Sequence, residues 1–329
     1  MNISVLGDGG WGTAIALLLN SYGHKVILWG PFEDYIDEMR RSRENSRFLP
    51  GVTLPEDIVL ESDPRKVTRK TDLYVLASPS KFLASVCKQF TGLIPPDARV
   101  VSLTKGLSED SDKRMSEVAQ SILGTRSIAV LSGPTHAEEV ARRIPTAIVV
   151  ASENPGLASD IQSIFTGPSF RVYTSTDPAG VEIGGAVKNV IAIAVGASDG
   201  LGFGDNTRAA LITRGLTEIQ RFGEALGARR ETFTGLSGIG DLIVTCTSKH
   251  SRNHSVGERL GKGEKIKDIL SSMEMVAEGV WNAKVIHDLS HKLGIEMPIA
   301  EVVYSVCYEE CPVRKAVETL MSRTTKSEM

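Results

Sequence analysis

The sequence has little of what marks secreted, membrane-spanning or nucleic-acid-binding proteins. Its 329 residues carry a net charge of −3 without a long run of one sign, so electrostatics give no support to nucleic acid or an anionic membrane as partner. No uninterrupted apolar run approaches the length that a bilayer requires, and the first residues lack the basic segment of a signal peptide. We therefore expect a cytoplasmic protein with no membrane span, which must hold any anionic ligand by local groups.

Cysteine is also scarce, and histidine is not arranged in a recognised metal motif. The four cysteines are scattered along the chain and are expected to be reduced thiols. Cys307 and Cys311 could share a helix face, where packing is favoured over a redox or metal role. Two histidine pairs have i,i+4 spacing without the Glu of a zinc-protease motif, which favours polar surface positions for His250/His254 and His287/His291. The sequence thus predicts no metal.

A glycine-rich turn is the first motif that the sequence does contain. Asn2–Leu6 favours a strand, and Thr13–Asn20 has helical composition. The G-x-G-x-x-G spacing between them is filled by Gly7, Gly9 and Gly12. In this setting the glycines make the tight turn, admit a pyrophosphate and let helix and strand pack closely, and the helix N-terminus offers free N–H groups to phosphates. The stretch predicts a dinucleotide site, with a tight turn that binds no ligand as the alternative.

The residues after the second predicted strand leave the choice between NAD and NADP open. NAD sites commonly have an acid at the end of that strand, and NADP sites an Arg nearby. Here the place reads Trp29-Gly-Pro-Phe-Glu33. Glu33 and Asp34 favour the first turn of the following helix, and three arginines lie further along it, at positions 40, 41 and 43.

Strands and helical segments alternate through the first half of the chain. Further strands are predicted at Lys25–Trp29, Ile58–Glu61, Leu73–Ala77, Arg99–Leu103, Ser127–Leu131, Thr146–Val150 and Phe170–Tyr173. The alternation predicts a parallel, doubly wound α/β sheet of the Rossmann type, in which ligands bind beyond the carboxyl ends of the strands. Lys105 follows one such end and should face the cleft. Ser132–Thr135 follows another, where it either caps the next helix or donates N–H groups to a phosphate.

After Pro178 the strand pattern stops and the rest of the chain is predicted to be helical. We therefore expect a dinucleotide-binding domain over residues 1–178 and a helical substrate-binding domain over residues 179–329. The stretch Val181–Val195 is apolar on nearly every side, which predicts a buried helix, and it contains Lys188. Burial would lower the pKa of this lysine and let it exchange protons near neutrality. Snorkelling to the surface, or pairing with a carboxylate, is the alternative.

Two later segments carry further polar candidates. Asp241 follows the glycine-rich stretch Gly235–Gly240 and could be a plain N-cap. Ser251-Arg-Asn253 lies in a predicted polar loop before a helix. Its guanidinium, amide and hydroxyl groups suit a phosphate, although a solvated loop would use the same residues.

Seven stretches of the chain occur together in one known family. They are Gly7-x-Gly-x-Trp-Gly-Thr13, Thr104-Lys-Gly106, Ser132-Gly-Pro-Thr135, Gly184-Gly-Ala-Val-Lys-Asn-Val190, Gly238-x-Gly-Asp241, Ser251-Arg-Asn253 and Val276-x-Glu-Gly279. On these stretches the chain resembles NAD(P)-dependent glycerol-3-phosphate dehydrogenases of the bacterial type, from the N-terminus to about residue 310.

The resemblance implies an activity and a set of site residues. The chain would reversibly reduce dihydroxyacetone phosphate to sn-glycerol 3-phosphate with NADH or NADPH, for glycerophospholipid synthesis. Lys188 would be the acid/base residue, and Lys105 would contact both cofactor and substrate. The substrate would also be held by Gly133, Thr135, Asp241, Ser251, Arg252 and Asn253. The cofactor would also be lined by Gly10, Trp11, Ala137, Arg252, Val276 and Glu278.

Two residues depart from the family's pattern. Asp8 stands where a small or neutral residue is usual, and Pro31 stands where a basic residue is frequent, which argues against a strong preference for NADP. Two other functions are alternatives: a related hydroxyacid dehydrogenase with a carboxylate substrate, and a non-catalytic NADH sensor. The sensor would need a DNA- or partner-binding module, for which the sequence offers no candidate segment. The apolar helical half is compatible with a homodimer.

Overall fold

The computed structural model describes residues 1–325 and Ser327, and its strands all lie in the first 175 residues. In chain order they are β1 Asn2–Leu6, β2 Lys25–Trp29, β3 Glu44–Asn45, β4 Leu49–Thr53, β5 Val59–Glu61, β6 Leu73–Leu76, β7 Arg99–Ser102, β8 Ala129–Ser132, β9 Thr146–Ala151 and β10 Phe170–Ser175. Eight of them form one sheet in the order β10-β9-β8-β7-β6-β1-β2-β5, and β3 pairs with β4 alone.

Helices connect these strands and then make up the second half. They are α1 Gly10–Ser21, α2 Glu33–Ser42, α3 Pro64–Thr68, α4 Ser80–Gln89, α5 Met115–Leu123, α6 Ala137–Ala141, α7 Pro155–Phe165, α8 Pro178–Gly200, α9 Asp205–Ala225, α10 Asp241–Thr247, α11 Arg252–Gly261, α12 Ile266–Ser271, α13 Glu278–Leu293, α14 Pro298–Tyr308 and α15 Val313–Met321. A 3₁₀ turn at Arg230–Thr234 and a π-helical turn at Leu236–Gly240 precede α10.

The predicted α/β architecture of the Rossmann type is confirmed. Strand β1 lies between β2 and β6 and is parallel to both, so that Ile3 pairs with Val26 on one side and with Leu73 on the other. These residues are almost completely buried, because helices cover both faces of a parallel sheet and its central strands need apolar side chains in both directions. The sheet therefore places its strand ends in a common row.

One pairing in the sheet differs from the prediction. Strands β8 and β9 are antiparallel, whereas β9 and β10 are parallel to each other. The helix between β8 and β9, α6, has five residues and rises only about 7 Å. It is too short to return the chain to the opposite edge of the sheet, as a parallel crossover must. The small β3–β4 ribbon was not predicted either.

Helix α8 is the buried core of the second half, as its composition predicted. It begins at Pro178 and is capped by Asp177, whose Oδ1 accepts a hydrogen bond from the N–H of Gly180 at 2.9 Å. It is long and apolar enough to cross a membrane by length and composition, but 94% of its most apolar window is buried inside the protein. The apolar surface is thus used in packing against neighbouring helices. The division at residue 178 agrees in position with the start of this helix and remains a prediction.

The cysteines behave as packing residues. All four are free thiols, and Cys87, Cys246 and Cys307 are buried, which raises the pKa of each of these three to about 12. The expectation that Cys307 and Cys311 share a helix face is wrong, because α14 ends at Tyr308.

Candidate active site

A cavity of about 190 Å³ lies between the strand ends of the sheet and the helical half. Its lining brings together twelve of the residues that the sequence predicted: Gly9, Gly10, Trp11, Lys105, Thr135, Ala137, Lys188, Ser251, Arg252, Asn253, Val276 and Glu278. The remaining four are next to the lining rather than part of it: Gly7, Gly12, Gly133 and Asp241. A larger cavity of about 590 Å³ lies in the helical half between α8, α9, α14 and α15, but it contains none of these residues.

Two lysines from the two halves share one buried carboxylate at the floor of the cavity. Lys188 Nζ lies 2.5 Å from Asp241 Oδ1, and Lys105 Nζ lies 2.9 Å from Asp241 Oδ2. The Asp241 side chain is 1% exposed, and that of Lys188 is 6% exposed. Lys188 therefore does not snorkel to the surface but pairs with a carboxylate. The reading of Asp241 as a plain N-cap is wrong, because Gly240 holds the cap position of α10 and the Asp241 carboxylate binds the lysines.

Lys105 reaches this carboxylate from the loop that follows β7. Its Nζ also donates a hydrogen bond to the carbonyl oxygen of Gly133 at 3.1 Å. The backbone of Gly133 has φ +155°, a conformation that L side chains rarely adopt. The same carbonyl accepts a hydrogen bond from Thr135 Oγ1 at 3.1 Å. The Ser132–Thr135 segment therefore fixes the position of the Lys105 ammonium.

The surroundings of Lys188 favour its neutral form more than water does. Burial lowers the pKa of Lys188 to about 7, and the positive charge of Lys105 acts in the same direction. The Asp241 carboxylate acts in the opposite direction and keeps the pKa from falling further. An amine with a pKa near 7 can both donate and accept a proton at neutral pH, which is the requirement for a general acid/base.

The glycine turn lies at the other end of the cavity. Gly7 has φ +129°, and a Cβ on it would lie 2.8 Å from the backbone of Ala77 and Ser78. A Cβ on Gly12 would lie 1.9 Å from the Gly7 carbonyl oxygen, whereas one on Gly9 would meet nothing within 4 Å. The turn is therefore packed tightly on the protein side and open on the cavity side, beside the N-terminus of α1. This is the shape that a phosphate approaching the backbone requires.

The segment Ser251-Arg-Asn253 lies at the start of α11 rather than in a loop. Ser251 is the N-cap, and its Oγ accepts a hydrogen bond from the N–H of His254. Asn253 Oδ1 accepts a hydrogen bond from the N–H of Gly279 at 2.8 Å. Arg252 donates to the carbonyl oxygen of Val276 at 2.9 Å and remains exposed at the cavity mouth. Of the three side chains, Arg252 thus presents charge to an incoming ligand.

Glu278 joins the two halves beside this segment. Its Oε1 accepts a hydrogen bond from the N–H of Ser80 at 2.9 Å, and its Oε2 contacts the Ser80 hydroxyl. Ser80 begins α4 in the sheet half, and Glu278 begins α13 in the helical half. Burial raises the pKa of Glu278, and its hydrogen bonds with Ser80 counteract this rise. The pair closes one wall of the cavity.

Several lining residues were missed by the sequence reasoning. Thr245 Oγ1 lies 2.7 Å from Lys188 Nζ, and its i,i+4 spacing from Asp241 on one helix was the signal that could have identified it. Ser78 and His136 were also missed, and each has a buried polar atom without a hydrogen-bond partner among the described residues, Ser78 Oγ and His136 Nε2, as does the predicted Trp11 at its Nε1. Because buried polar atoms are nearly always paired, these atoms are suited to hydrogen bonds with a polar ligand or water in the cavity.

Each of the two histidine pairs has one exposed and one partly buried member. His254 Nε2 lies 2.8 Å from Asp199 Oδ2, with its side chain 17% exposed, and the ring of His287 stacks on that of Tyr304. The predicted polar surface position fits His250 and His291, which are exposed, whereas His254 and His287 are partly buried. His287, His291 and Glu301 have ligand atoms within 4.8 Å of one another, at a place that does not contribute to the cavity.

Comparison with known proteins identifies the family. A model described as the N-terminus of NAD-dependent glycerol-3-phosphate dehydrogenase matches residues 2–158, and one described as the C-terminus matches residues 177–318. A glycerol-3-phosphate dehydrogenase of Syntrophomonas wolfei is 49% identical over 330 residues, covering 99% of this chain and 96% of that protein. The crystal structure of glycerol-3-phosphate dehydrogenase from Coxiella burnetii has a TM-score of 0.94 at 40% identity, covering 98% of this chain and 99% of the other. The chain belongs to the NAD-dependent glycerol-3-phosphate dehydrogenase family.

Proposed function

We propose that this chain catalyses the reversible reduction of dihydroxyacetone phosphate to sn-glycerol 3-phosphate with NAD or NADP as cofactor, and supplies glycerophospholipid synthesis. The observation that carries the proposal is the buried Lys188, which shares Asp241 with Lys105 at the floor of the cavity. Reduction of a ketone needs one proton for the oxygen and positive charge to stabilise that oxygen while it gains electron density. The two lysines supply both.

Lys188 is the proton donor in this proposal. In the reducing direction its ammonium gives a proton to the substrate oxygen, and in the oxidising direction the neutral amine takes the proton back from the hydroxyl group. The positive charge of Lys105 stabilises the oxygen as it gains negative charge. Asp241 and Thr245 hold Lys188 Nζ in place at 2.5 and 2.7 Å. Orientation of this kind contributes to rate because the reacting atoms start near their final geometry.

The substrate's phosphate is assigned to the start of α11. Arg252 provides the charge, and its guanidinium can donate two parallel hydrogen bonds to a phosphate. Ser251 and Asn253 are buried next to it and fix the helix start through their own hydrogen bonds. Gly133 and Thr135 approach from the sheet side and complete the proposed substrate set.

The cavity fits a dinucleotide because of its open glycine turn and its unpaired polar atoms. The proposed contacts to the pyrophosphate are Gly9, Gly10 and Trp11 at the start of α1, and the other cofactor contacts are Lys105, Ala137, Arg252, Val276 and Glu278. When bound, NAD(P) supplies or accepts the hydride. The protein's contribution is to orient the nicotinamide against the substrate and to exclude water.

Turnover by the Lys188→Ala variant tests this assignment. The purified wild type should oxidise NADH or NADPH with dihydroxyacetone phosphate, whereas the variant should lose about a thousandfold or more in kcat, because proton transfer has no donor. Its dissociation constants for the nucleotides, measured by calorimetry, should stay near those of the wild type. Lys262→Ala, which removes an exposed lysine paired with Glu258, is the control. Near-normal kcat in Lys188→Ala would disprove the role.

The substrate class is tested with the same protein. Wild type is assayed with dihydroxyacetone phosphate and, separately, with the oxo forms of 3-hydroxyacids of similar size. The first should be reduced and the second should not, because the sites around Arg252 and Lys105 favour a phosphate. A preference for the carboxylate substrates would favour the hydroxyacid dehydrogenase alternative, and binding of NADH without turnover would favour a sensor.

We further infer a homodimer located in the cytoplasm, with the two domains dividing at residue 178. The apolar cavity between α9, α14 and α15 supports the dimer, since it opens towards solvent and exposed Met321 lies at its edge. The free thiols support a reducing compartment. Light scattering of the purified protein, which gives the mass in solution, decides between monomer and dimer.

A further inference from the structure

Asp8 is a buried acid without a use in the proposed mechanism. It stands between the first two glycines of the turn, is 8% exposed, and its Oδ2 has no hydrogen-bond partner among the described residues. Its backbone is held firmly, because its carbonyl oxygen accepts a hydrogen bond from Asn45 Nδ2 at 2.7 Å. Burial raises the pKa of Asp8 to about 6. Such an acceptor is costly to bury unless a donor arrives from a ligand.

The carboxylate lies against Gly30, the first residue after β2. A Cβ on Gly30 would be 2.2 Å from Asp8 Oδ2 and 2.5 Å from its Cγ. In NAD sites the end of this strand, about 20 residues beyond the glycine turn, carries the acid that binds the ribose hydroxyl groups. Here that position has no side chain. The Asp8 carboxylate occupies the space that such a side chain would fill, but reaches it from the turn.

Glu33 and two arginines of this region, Arg40 and Arg43, are engaged elsewhere. Glu33 contacts Arg40 and the Ser62 hydroxyl. Arg40 also binds Asp37 at 2.5 Å and the Leu60 carbonyl oxygen. Arg43 donates to backbone carbonyl oxygens, including that of Ile58.

Two further arginines lie close by in the chain. Arg41 donates to the carbonyl oxygen of Asp37, and the Arg47 guanidinium lies 4.8 Å from the centroid of the Tyr35 ring. Neither of these two contacts involves the Asp8 carboxylate. Arg47 is therefore the arginine to test as a group that could bind the additional phosphate of NADP.

We propose that Asp8 accepts hydrogen bonds from the ribose hydroxyl groups at the adenosine end of the dinucleotide and selects NAD over NADP. The inference rests on the proposed function, because it needs a dinucleotide in the turn. NAD has a free 2′-hydroxyl group, which gives the unpaired carboxylate a donor. NADP places a 2′-phosphate there, and two negative groups in a poorly solvated site repel each other. Selection therefore comes from both an attractive and a repulsive contact.

Nucleotide binding without turnover tests the proposal. Dissociation constants of wild type, Asp8→Ala and Asp8→Asn are measured by calorimetry for NADH, NADPH, adenosine 5′-diphosphate and its 2′-phosphorylated form. Wild type should bind each 2′-hydroxyl compound at least tenfold more tightly than its phosphorylated partner. In both variants the preference should fall about tenfold or more, since a charge-assisted hydrogen bond and a repulsion are removed together. The adenosine compounds report on this end of the site alone.

Asp34→Ala is the matched control, because it removes an exposed acid from the neighbouring turn of α2 without touching Gly30. The Asp34→Ala variant should prefer the 2′-hydroxyl compounds over the 2′-phosphorylated ones by the same factor as the wild type. Thermal unfolding of each variant confirms its folding. The proposal is overturned if the wild type binds both members of each pair equally, if both Asp8 variants keep the preference, or if wild type prefers NADPH and loses that preference in Arg47→Ala. If neither NADH nor NADPH binds at all, the proposed function itself fails.

Discussion

At the scale of single residues, the Lys188 ammonium is balanced between two opposing influences. Burial and the charge of Lys105 lower its pKa, and Asp241 raises it. Asp241 is shared by both lysines, so removing this one carboxylate changes the proton equilibrium of Lys188 and the position of Lys105 together. The balance is therefore accessible through the pH dependence of the reaction.

The rate should depend on pH in opposite ways for the two directions. With a pKa of about 7 for Lys188, kcat/KM for reduction should fall as pH rises through about 7, because the ammonium form donates the proton. For oxidation it should rise over the same range, because the neutral amine accepts it. In Asp241→Asn both midpoints should move to lower pH, since the charge that favours the ammonium is gone.

Asp205→Asn is the comparison for this experiment, because that carboxylate is 93% exposed and its loss should leave the midpoints unchanged. The pH profiles are measured for both directions with saturating nucleotide. An unchanged or higher midpoint in Asp241→Asn would show that another group limits the rate.

The sequence predicted the burial of Lys188 but not its contacts. An apolar residue at nearly every position around Lys188 is a local property, and it suffices to predict a buried helix. The contact with Asp241 joins residues 53 positions apart, and it depends on how α8 packs against α10. That geometry is set by side-chain packing between helices, which periodicity within one segment does not encode. For the same reason, the sequence could not predict that Asp8 Oδ2 would be buried without a hydrogen-bond partner among the described residues.

At the scale of elements, one buried acid ties two helices together and makes the stability depend on pH. Glu218 on α9 accepts hydrogen bonds from the N–H groups of Ile299 and Ala300, at 2.7 and 3.2 Å, in the first turn of α14. Burial raises its pKa to about 7, although these N–H groups act against the rise. In the unfolded chain the same carboxyl group titrates near 4.5.

Wild-type stability should therefore fall relative to Glu218→Gln as pH rises from about 4 to about 8. In this range the folded protein holds a proton on Glu218 that the unfolded chain has lost, so rising pH favours unfolding. The pKa difference corresponds to about 3 kcal/mol. The Gln variant keeps an acceptor oxygen for α14 but does not titrate. Urea unfolding at several pH values measures the difference.

Glu224 lies on the same helix, and its side chain is 42% exposed. The free energy of unfolding of Glu224→Gln should therefore change with pH in the same way as that of the wild type. If the free energy of unfolding of Glu218→Gln also changed with pH in the same way as that of the wild type, Glu218 would not hold a proton in the folded protein over this range.

Most elements were predictable because their patterns are local, and the exceptions are those whose form depends on a neighbour. β1 and β2 have the predicted bounds, since each is a short run of β-forming residues ended by glycine. The direction of β9 could not be read from its own residues, because Thr146–Ala151 is equally suited to either direction. The short α6 decides it. Likewise, β3 has two residues and exists only through its pairing with β4.

At the scale of the whole molecule, the site exists only where the two halves meet. Lys105 from the sheet side donates a hydrogen bond to Asp241 from the helical side. In the same way Ser80 from the sheet side donates one to Glu278 from the helical side. The sequence predicted that Lys105, at the end of a strand, would face the ligand cleft, because ligands bind beyond the strand ends in doubly wound sheets. The contacts that hold the halves in this relation are long-range and were not predictable.

Glu182 forms a second deeply buried charged link between the halves, apart from the one that Asp241 makes with Lys105. It lies on α8, with its side chain 3% exposed, and binds Arg114 Nη1 at 2.9 Å before the start of α5. It also accepts hydrogen bonds from the N–H and hydroxyl of Ser116, at 2.8 and 2.6 Å. Arg114 has a second carboxylate partner, Glu117, at 2.9 Å, but this one is 43% exposed. One guanidinium thus offers a buried and an exposed ion pair for direct comparison.

Glu182→Ala should cost far more stability than Glu117→Ala. Removing Glu182 leaves the guanidinium and the two Ser116 donors without their buried acceptor, which should lower the free energy of unfolding by about 3 kcal/mol. Removing Glu117 breaks a largely solvated pair and a helix-start contact, and should cost about 1 kcal/mol or less. Urea unfolding at neutral pH, followed by circular dichroism, measures both. Equal losses would mean that burial does not strengthen the link between the halves, and that packing around α8 alone sets their arrangement.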